Sequence, residues 1–90
     1  MKYKITQEDY DKIERLAHCA ASAVTKKDAK HYIDKLEFIA SSGGYAGGLR
    51  NIIGELCSSV SNAAGSVADK YRKTYFVEMD LSKLRDFIEE

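Results

Sequence analysis

The sequence predicts a mainly α-helical, oligomeric fold, in which a helical hairpin is followed by a long helix in the second half of the chain. Apolar residues recur at helical spacing in three segments, and two of these segments begin with helix-capping signatures. All six glycines fall between residues 43 and 65, in a stretch whose only ionised side chains are Arg50 and Glu55. Branched residues at helical spacing distinguish this stretch from a linker. We therefore interpret it as a helix surface for close backbone contact, within one subunit or between subunits.

The first helix is predicted to begin at Thr6. The Thr6 hydroxyl can accept a hydrogen bond from the amide three residues later, and Asp9 stands where a capping-box acid would. Residues 1–5 alternate charged and apolar side chains, and we interpret them as an edge strand or an extended arm. The apolar face of the helix comprises Tyr10, Ile13, Leu16, Ala17, Ala20 and Val24.

A second helix is predicted from about residue 26 to about residue 41, because Thr25 and Asp28 repeat the same capping pattern. The two helices are either separated by a tight turn at Thr25 or fused into one bent rod, and no glycine or proline decides between these alternatives. The buried face of the second helix is predicted to comprise Ala29, Tyr32, Ile33, Leu36 and Ile39.

The strongest break in the chain is at residues 41–44, Ser-Ser-Gly-Gly. The longest periodic segment follows, and its alternating steps of four and three residues indicate the seam of a helical hairpin or coiled coil. Gly54 and Gly65 lie inside this helix, where each costs about 1 kcal/mol relative to alanine, so close packing explains them better than chance. The seam comprises Leu49, Ile53, Leu56, Val60, Ala63 and Val67, with Tyr71 one turn beyond.

Residues 74–79 (TYFVEM) change character, because Tyr75, Phe76 and Val77 favour a strand. This segment either pairs with residues 1–5 as a short antiparallel ribbon or continues the helix. Asp80 is then predicted to cap a last amphipathic segment, whose inward residues are Leu81, Leu84, Phe87 and Ile88.

Ninety residues predict a single domain, 1–90, with a marginal core. Cys19 and Cys57 are the only cysteines, so neither a disulfide framework nor a paired-cysteine zinc spacing is present. The charged first residues and the short apolar runs predict neither a targeting segment nor a membrane span. We expect a reduced, cytoplasmic protein that self-associates, since small size and a small-residue face both favour assembly.

The net charge of zero, from 14 basic and 14 acidic residues, argues against a generic duplex-DNA binder. Local basic clusters on a neutral protein suit a compact anionic ligand better than a long polyanion. His18 and Cys19 are neighbours that point about 100° apart on a helix, and no metal-ligand or phosphate-loop spacing is present. We therefore expect no enzymatic activity, no cofactor and no metal. The basic clusters are Lys26, Lys27, Lys30 and His31, and then Lys70, Arg72 and Lys73.

The chain has six tyrosines, and their positions suggest different roles. Tyr10, Tyr32 and Tyr71 fit apolar faces and are predicted to be in the core. Tyr3 stands between two lysines, and Tyr45 stands among glycines. A flat ring beside a cation can stack on a nucleobase while the cation meets phosphate. The other interpretation of Tyr3 is an interface residue in an arm that crosses to another subunit.

The segment YKITQEDYDKIERL resembles the start of the small phage proteins that sequester the cyclic oligonucleotide signals of the CBASS defence. Those proteins open with an aromatic residue and then a Ser/Thr-Gln-Glu-Glu-like helix start, matched here by Tyr3 and residues 6–9. The later segment IASSGGYAGG resembles the family's Ile-Ala segment with its spaced glycine, matched by Ile39, Ala40 and Gly47.

The resemblance implies a compact helical subunit that assembles into a symmetric oligomer, a hexamer. Cyclic dinucleotides such as 3′,3′-cyclic GMP–AMP would bind between subunits with their bases on an N-terminal tyrosine, and their sequestration would blunt host anti-phage signalling. The family's ligand-contacting lysine falls near Ala17 or His18 and its arginine at Ser41, so substitutes are chosen by charge and position. The predicted ligand-binding residues are Tyr3, Lys4, Tyr10, Lys26, Lys27, Tyr45, Gly47 and Arg50.

Two other classes of function fit the sequence. The first is a helical protein-binding inhibitor or adaptor that docks one face on a host protein. The second is a single-stranded nucleic-acid binder, whose affinity should fall steeply with salt.

Overall fold

Four helices make up most of the described chain. The computed structural model describes residues 2–64 and 70–89, without the side chains of residues 70–73. Among these residues no strand forms, and none of the helices is long and apolar enough to cross a membrane. The prediction of a mainly α fold is confirmed. The helices are α1 (Gln7–Ser22), α2 (Lys26–Ser42), α3 (Gly47–Ala63) and α4 (Lys70–Arg85).

The helices α1 and α2 begin where the sequence predicts. Thr6 Oγ1 accepts a hydrogen bond from the Asp9 amide at 3.1 Å, and Thr25 Oγ1 accepts one from the Asp28 amide at 3.2 Å. These bonds satisfy amides that have no partner inside their own helix. The two helices are therefore separate, and they pack against each other as a hairpin. Because α1 ends before Val24, this side chain lies in the connection and is 85% exposed, so its predicted place on the buried face is wrong.

The prediction of one long helix in the second half is wrong, because two helices take its place. The first, α3, ends at Ala63, and Ala64 has an extended backbone with φ −66° and ψ 134°. The pair α3 and α4 makes the most extensive helix contact in the described chain. A periodic apolar stripe does not distinguish one helix from two that pack on each other, since both arrangements bury it. Gly65, Val67 and the side chain of Tyr71, which the prediction also used, lie outside the described residues.

Residues 74–79 lie within α4, so the helical alternative for this segment is confirmed and the ribbon with residues 1–5 is wrong. Val77 and Leu81 are one turn apart and both are buried. The burial of this helical face overrides the strand propensity of the aromatic residues beside it. Asp80 lies inside α4 instead of capping a later segment, and its carboxylate is buried.

All four helices contribute to one apolar core. The seam of α3 lies within this core, so the stripe predicted from its spacing is covered inside the subunit. The radius of gyration, 12.4 Å, is that of a compact domain of this length. The largest fully buried side chains are Ile5, Ile13, Leu36, Leu49, Ile53, Leu56, Val60, Val77, Leu81 and Leu84.

Residues 2–5 form an arm that pairs with two distant segments. Lys2 exchanges two backbone hydrogen bonds with the α2–α3 connection, at 2.8 and 2.9 Å. Ile5 exchanges two with the residues that follow α4, at 2.9 and 2.7 Å. The Ile5 side chain is only 1% exposed, so the arm is anchored in the core. The arm thus joins the α2–α3 connection to the C-terminal end of α4.

Candidate functional site

A groove opens beside this arm, and we call it the arm groove. Its volume is about 360 Å³. It combines aromatic rings with side chains of both charges, a mixture that can fix the orientation of a small ligand. The lining residues are Lys2, Tyr3, Lys4, Thr6, Asp9, Tyr45 and Glu89.

Gly47 at the start of α3 makes room for the arm, and Gly48 makes room for Phe87. Gly44 and Gly47 have positive φ angles of 75° and 65°, a region that residues with a side chain rarely adopt. A Cβ atom on Gly47 would come within 3.2 Å of the Tyr3 ring, and one on Gly48 within 3.3 Å of the Phe87 ring. The close contacts of these two glycines are therefore made within one subunit.

The two tyrosines of the arm groove have different surroundings. Tyr3 is 61% exposed, whereas Tyr45 is 9% exposed and its hydroxyl donates to Asp9 Oδ2 at 3.3 Å. The Nζ atom of Lys2 lies 5.7 Å from the centroid of the Tyr45 ring, within cation–π range. Tyr3 is thus the ring that a ligand can reach, whereas Tyr45 is a buried part of the groove wall.

The charges of the arm groove balance within one subunit. Lys2 and Lys4 supply two cations, and Asp9 and Glu89 supply two carboxylates. Burial raises the pKa of the Tyr45 hydroxyl, and the negative charge of Asp9 raises it further. This hydroxyl therefore keeps its proton at neutral pH and acts as a hydrogen-bond donor. An anionic ligand would be held by the placement of the lysines, not by a net positive field.

The structure brings together half of the predicted ligand-binding residues. Tyr3, Lys4 and Tyr45 line the arm groove, and Gly47 lies directly behind the Tyr3 ring. The other four residues do not line it: Tyr10, Lys26, Lys27 and Arg50.

Tyr10 is 3% exposed and makes contacts inside the protein. Its hydroxyl donates to Glu14 Oε2 at 2.9 Å and accepts from the Arg85 guanidinium at 3.2 and 3.3 Å. Burial, the largest cause, raises its pKa. Because Glu14 belongs to α1 and Arg85 to α4, this cluster connects two helices. The prediction that Tyr10 lies in the core is confirmed, and its hydroxyl is hydrogen-bonded to Glu14 and Arg85.

The predicted cations are spread over other parts of the surface. Lys26 and Lys27 are exposed at the start of α2, separated from the arm by the length of α1, about 24 Å. Arg50 is half-buried on α3, and its guanidinium lies 3.3 Å from the position that a Cβ atom on Gly54 would take. The charge of these residues and their order along the chain do not indicate how far each lies from the arm in the folded structure.

Sequence reasoning missed three charged residues of the arm groove. Lys2 had a usable signal, since it flanks Tyr3 as Lys4 does. Asp9 was assigned only to helix capping, although it also accepts from Tyr45. Glu89 comes to the groove through the pairing of Ile5 with the end of α4, and nothing in the local sequence indicates that pairing.

The side chains considered for catalysis lie apart from the arm groove. His18 Nε2 is 2.6 Å from Glu78 Oε1, in a surface pair between α1 and α4. Cys19 and Cys57 are free thiols, and burial raises the pKa of Cys57. Within residues 2–64 and 70–89, no group of three or more His, Cys, Asp or Glu side chains could hold a metal ion.

Comparison with protein-family models, with curated proteins and with solved structures finds no match to this chain. The class of protein that the fold defines is a small bundle of four described helices with an N-terminal arm. Any function has to be argued from its surfaces.

Proposed function

We propose that the protein binds a cyclic dinucleotide in the arm groove and releases it unchanged. The observation that carries this proposal is the exposed ring of Tyr3, which stands between Lys2 and Lys4 at the edge of the groove. The proposed class of ligand is the cyclic second messengers of anti-phage signalling, with 3′,3′-cyclic GMP–AMP as the representative. By holding the messenger, the protein would lower its free concentration and blunt the host response.

The chemistry of binding divides between the ring and the two lysines. A nucleobase can stack on Tyr3, and base–aromatic stacking contributes about 1 to 3 kcal/mol per base. Lys2 and Lys4 flank Tyr3 in the sequence. Their ammonium groups can therefore reach the phosphates of a ligand whose base stacks on the Tyr3 ring. Tyr45 and its bond to Asp9 keep the wall of the groove in place. No side chain in the groove has to act as a nucleophile, so binding without turnover is the simplest role.

The composition of the groove argues that two subunits share one ligand. A cyclic dinucleotide has two bases and two phosphates, whereas one arm groove offers a single exposed ring and a balanced set of charges. Two copies around a twofold axis would present two Tyr3 rings and four lysines to a ligand of matching symmetry. Self-association is therefore part of this proposal, and the hexamer remains a prediction from the family resemblance.

Thermal unfolding with and without 3′,3′-cyclic GMP–AMP tests the proposal. A ligand at about 100 times its Kd stabilises the folded state by about 2.7 kcal/mol, which gives a clear rise in Tm. Tyr3→Ala should weaken binding by about tenfold or more, since each 1.4 kcal/mol of lost stacking is a factor of ten. Tyr75→Ala is the matched control, because Tyr75 is also exposed, at 63%, but lies on α4.

Three results would count against the proposal. Recovery of a hydrolysed nucleotide after denaturation would mean an enzyme. Equal losses in Tyr3→Ala and Tyr75→Ala would place binding outside the arm groove. The absence of any Tm shift with cyclic dinucleotides would leave the protein-docking and single-stranded nucleic-acid alternatives, and a salt titration identifies the latter.

A further inference from the structure

A second groove runs along the outer face of the α1–α2 hairpin, away from the arm groove. We call it the hairpin groove. Its first part has a volume of about 610 Å³, and a second part of the same volume adjoins it at His31. The first part is lined by Lys12, Arg15, Leu16, His31, Asp34, Lys35, Phe38 and Ile39.

The floor of the hairpin groove is apolar and remains uncovered in the isolated chain. Phe38 is 71% exposed, and Leu16 and Ile39 beside it are only partly buried. The second part of the groove continues this floor to Tyr32 and to Val24, which is 85% exposed. Large apolar side chains that adjoin one another on a surface mark a contact site more often than scattered ones do.

The rim of the hairpin groove is basic. Lys12 and Arg15 stand on the α1 side and Lys35 on the α2 side, and none of the three forms an ion pair with another described residue. Lys12 and Arg15 also border a depression that holds three carboxylates, those of Glu8, Asp9 and Asp11. The one carboxylate that lines the first part of the groove, Asp34, is paired with Lys30 at 2.8 Å. Three cations that have no ion-pair partner among the described residues thus surround an apolar floor. This arrangement favours an apolar ligand with negatively charged flanks.

We propose that the hairpin groove binds an acidic amphipathic helix of another protein. The lining positions recur every three or four residues on both helices, so the groove runs parallel to the helix axes. From Lys27 to Phe38 the groove follows α2 for about 16 Å, the length of about three helical turns. A partner helix of that length would place its apolar stripe on Phe38 and Leu16, and its carboxylates opposite Lys12, Arg15 and Lys35.

A second copy of the chain is a poorer occupant than a foreign helix. Apart from the hairpin groove itself, the large apolar side chains that the described helices expose are Tyr75 and Phe76, both on α4. The exposed aromatic residues of α4, Tyr75 and Phe76, have Glu78 beside them, and that carboxylate is paired with His18. The inference is independent of the arm groove, because no residue is shared between the linings of the two grooves.

The test uses three fluorescein-labelled synthetic peptides of 14 residues and fluorescence anisotropy at low salt. The first peptide is a helix with leucine at core spacing and glutamate elsewhere, the second replaces glutamate by lysine, and the third is a scrambled version of the first. We expect the first peptide to bind with a Kd of about 100 μM or tighter, at least about tenfold tighter than the other two.

Variants then locate the binding surface. Phe38→Ala should weaken binding of the acidic peptide by about tenfold, and Lys12→Glu with Lys35→Glu should reverse the preference towards the lysine peptide. All three positions are exposed, so the variants should keep the fold, which far-ultraviolet circular dichroism checks. The matched controls on α4 are Tyr75→Ala and Lys83→Glu, which should leave the Kd unchanged. Tyr3→Ala should also leave it unchanged, and this separates the result from nucleotide binding.

The inference would be overturned by equal binding of the scrambled or lysine peptide, by equal losses in the α4 controls, or by no binding at about 1 mM peptide. Sedimentation of the protein alone supplies a further test. A dimer that dissociates in Phe38→Ala would assign the groove to a second copy of this chain instead of a foreign helix.

Discussion

The Tyr3 ring lies against the backbone of Gly47, so closely that a Cβ atom on Gly47 would come within 3.2 Å of the ring carbons Cδ1 and Cε1. The contact connects the first residues of the chain to the start of α3. It also holds the exposed ring at the edge of the arm groove, because the backbone of Gly47 supports it from behind. The position of the proposed stacking ring therefore depends on a residue that has no side chain.

Substituting alanine at Gly47 should both destabilise the fold and displace Tyr3. The positive φ angle of 65° costs a residue with a side chain about 1 to 2 kcal/mol, and the new methyl group would press on the Tyr3 ring. Gly44→Ala is the matched control, because its φ of 75° imposes a similar cost while no atom lies within 4 Å of the added Cβ. Urea unfolding measures stability, and nucleotide titration measures the position of the ring.

We expect both glycine variants to lose stability but only Gly47→Ala to lose nucleotide affinity as well. Equal affinity in the two variants would mean that the contact between Gly47 and Tyr3 has no part in the site.

Anchoring of the arm should depend on Ile5. This side chain is 1% exposed in the core, and truncation of a buried isoleucine to alanine typically costs about 2 to 5 kcal/mol. Ile5→Ala should therefore lower the urea midpoint strongly, whereas Lys4→Ala, at the exposed neighbouring position, should change stability by less than about 0.5 kcal/mol. A loss in Ile5→Ala as small as that in Lys4→Ala would show that the arm is not anchored.

The contact between α3 and α4 includes a side-chain hydrogen bond whose contribution to stability should be measurable. The Ser59 hydroxyl donates to Asp80 Oδ2 at 2.6 Å, and Asp80 is 4% exposed. Because a hydrogen bond to a charged group contributes about 1.5 to 3 kcal/mol, Ser59→Ala should lower the free energy of unfolding by about that amount. Ser58→Ala is the control, since Ser58 is exposed on the same helix. Indistinguishable unfolding curves for the two variants would contradict this assignment.

Stability at high pH should depend on Tyr45. Its pKa is raised in the folded state, chiefly by burial and then by Asp9, so folding favours the protonated form. This contribution is fully present below the unfolded-state pKa of about 10 and is lost as the pH rises through the folded-state pKa. In urea unfolding from roughly pH 9 to pH 11, Tyr45→Phe should lose stability less steeply than the natural sequence.

Asp9→Asn provides an independent check on the cause of the raised pKa of Tyr45. It removes the negative charge that adds to the shift, so the pKa of Tyr45 should move back towards its ordinary value while burial still keeps it raised. Parallel stability curves for the natural sequence and Tyr45→Phe would contradict both expectations.

The helical class and two helix starts could be predicted from the sequence because their causes are local. Thr6 and Thr25 cap helices through bonds to amides only three residues away, and the spacing of Ile13 and Leu36 within their helices indicates which face is buried. Tyr3 and Lys4 could be predicted as neighbours in one candidate site for a similar reason, since a ring next to a cation is visible in the sequence itself.

The candidate site as a whole could not be predicted, because its residues come from distant parts of the chain. Glu89 reaches the arm groove through the backbone bonds of Ile5, and the buried Tyr45 donates to Asp9, which lies 36 residues away in the sequence. Lys26 and Lys27 were predicted to join the arm by charge and position, but the length of α1 separates them from it.

By itself the sequence determined the helical class, the capped starts of α1 and α2, and the apolar stripes that would be buried. The tertiary structure decided where α3 ends, that residues 74–79 are helical, and that the arm pairs with the α2–α3 connection. The physical reason is that capping and periodicity act within a few residues. By contrast, the choice between one helix and two, or between a strand and a helix, depends on how much apolar surface distant segments can bury against one another.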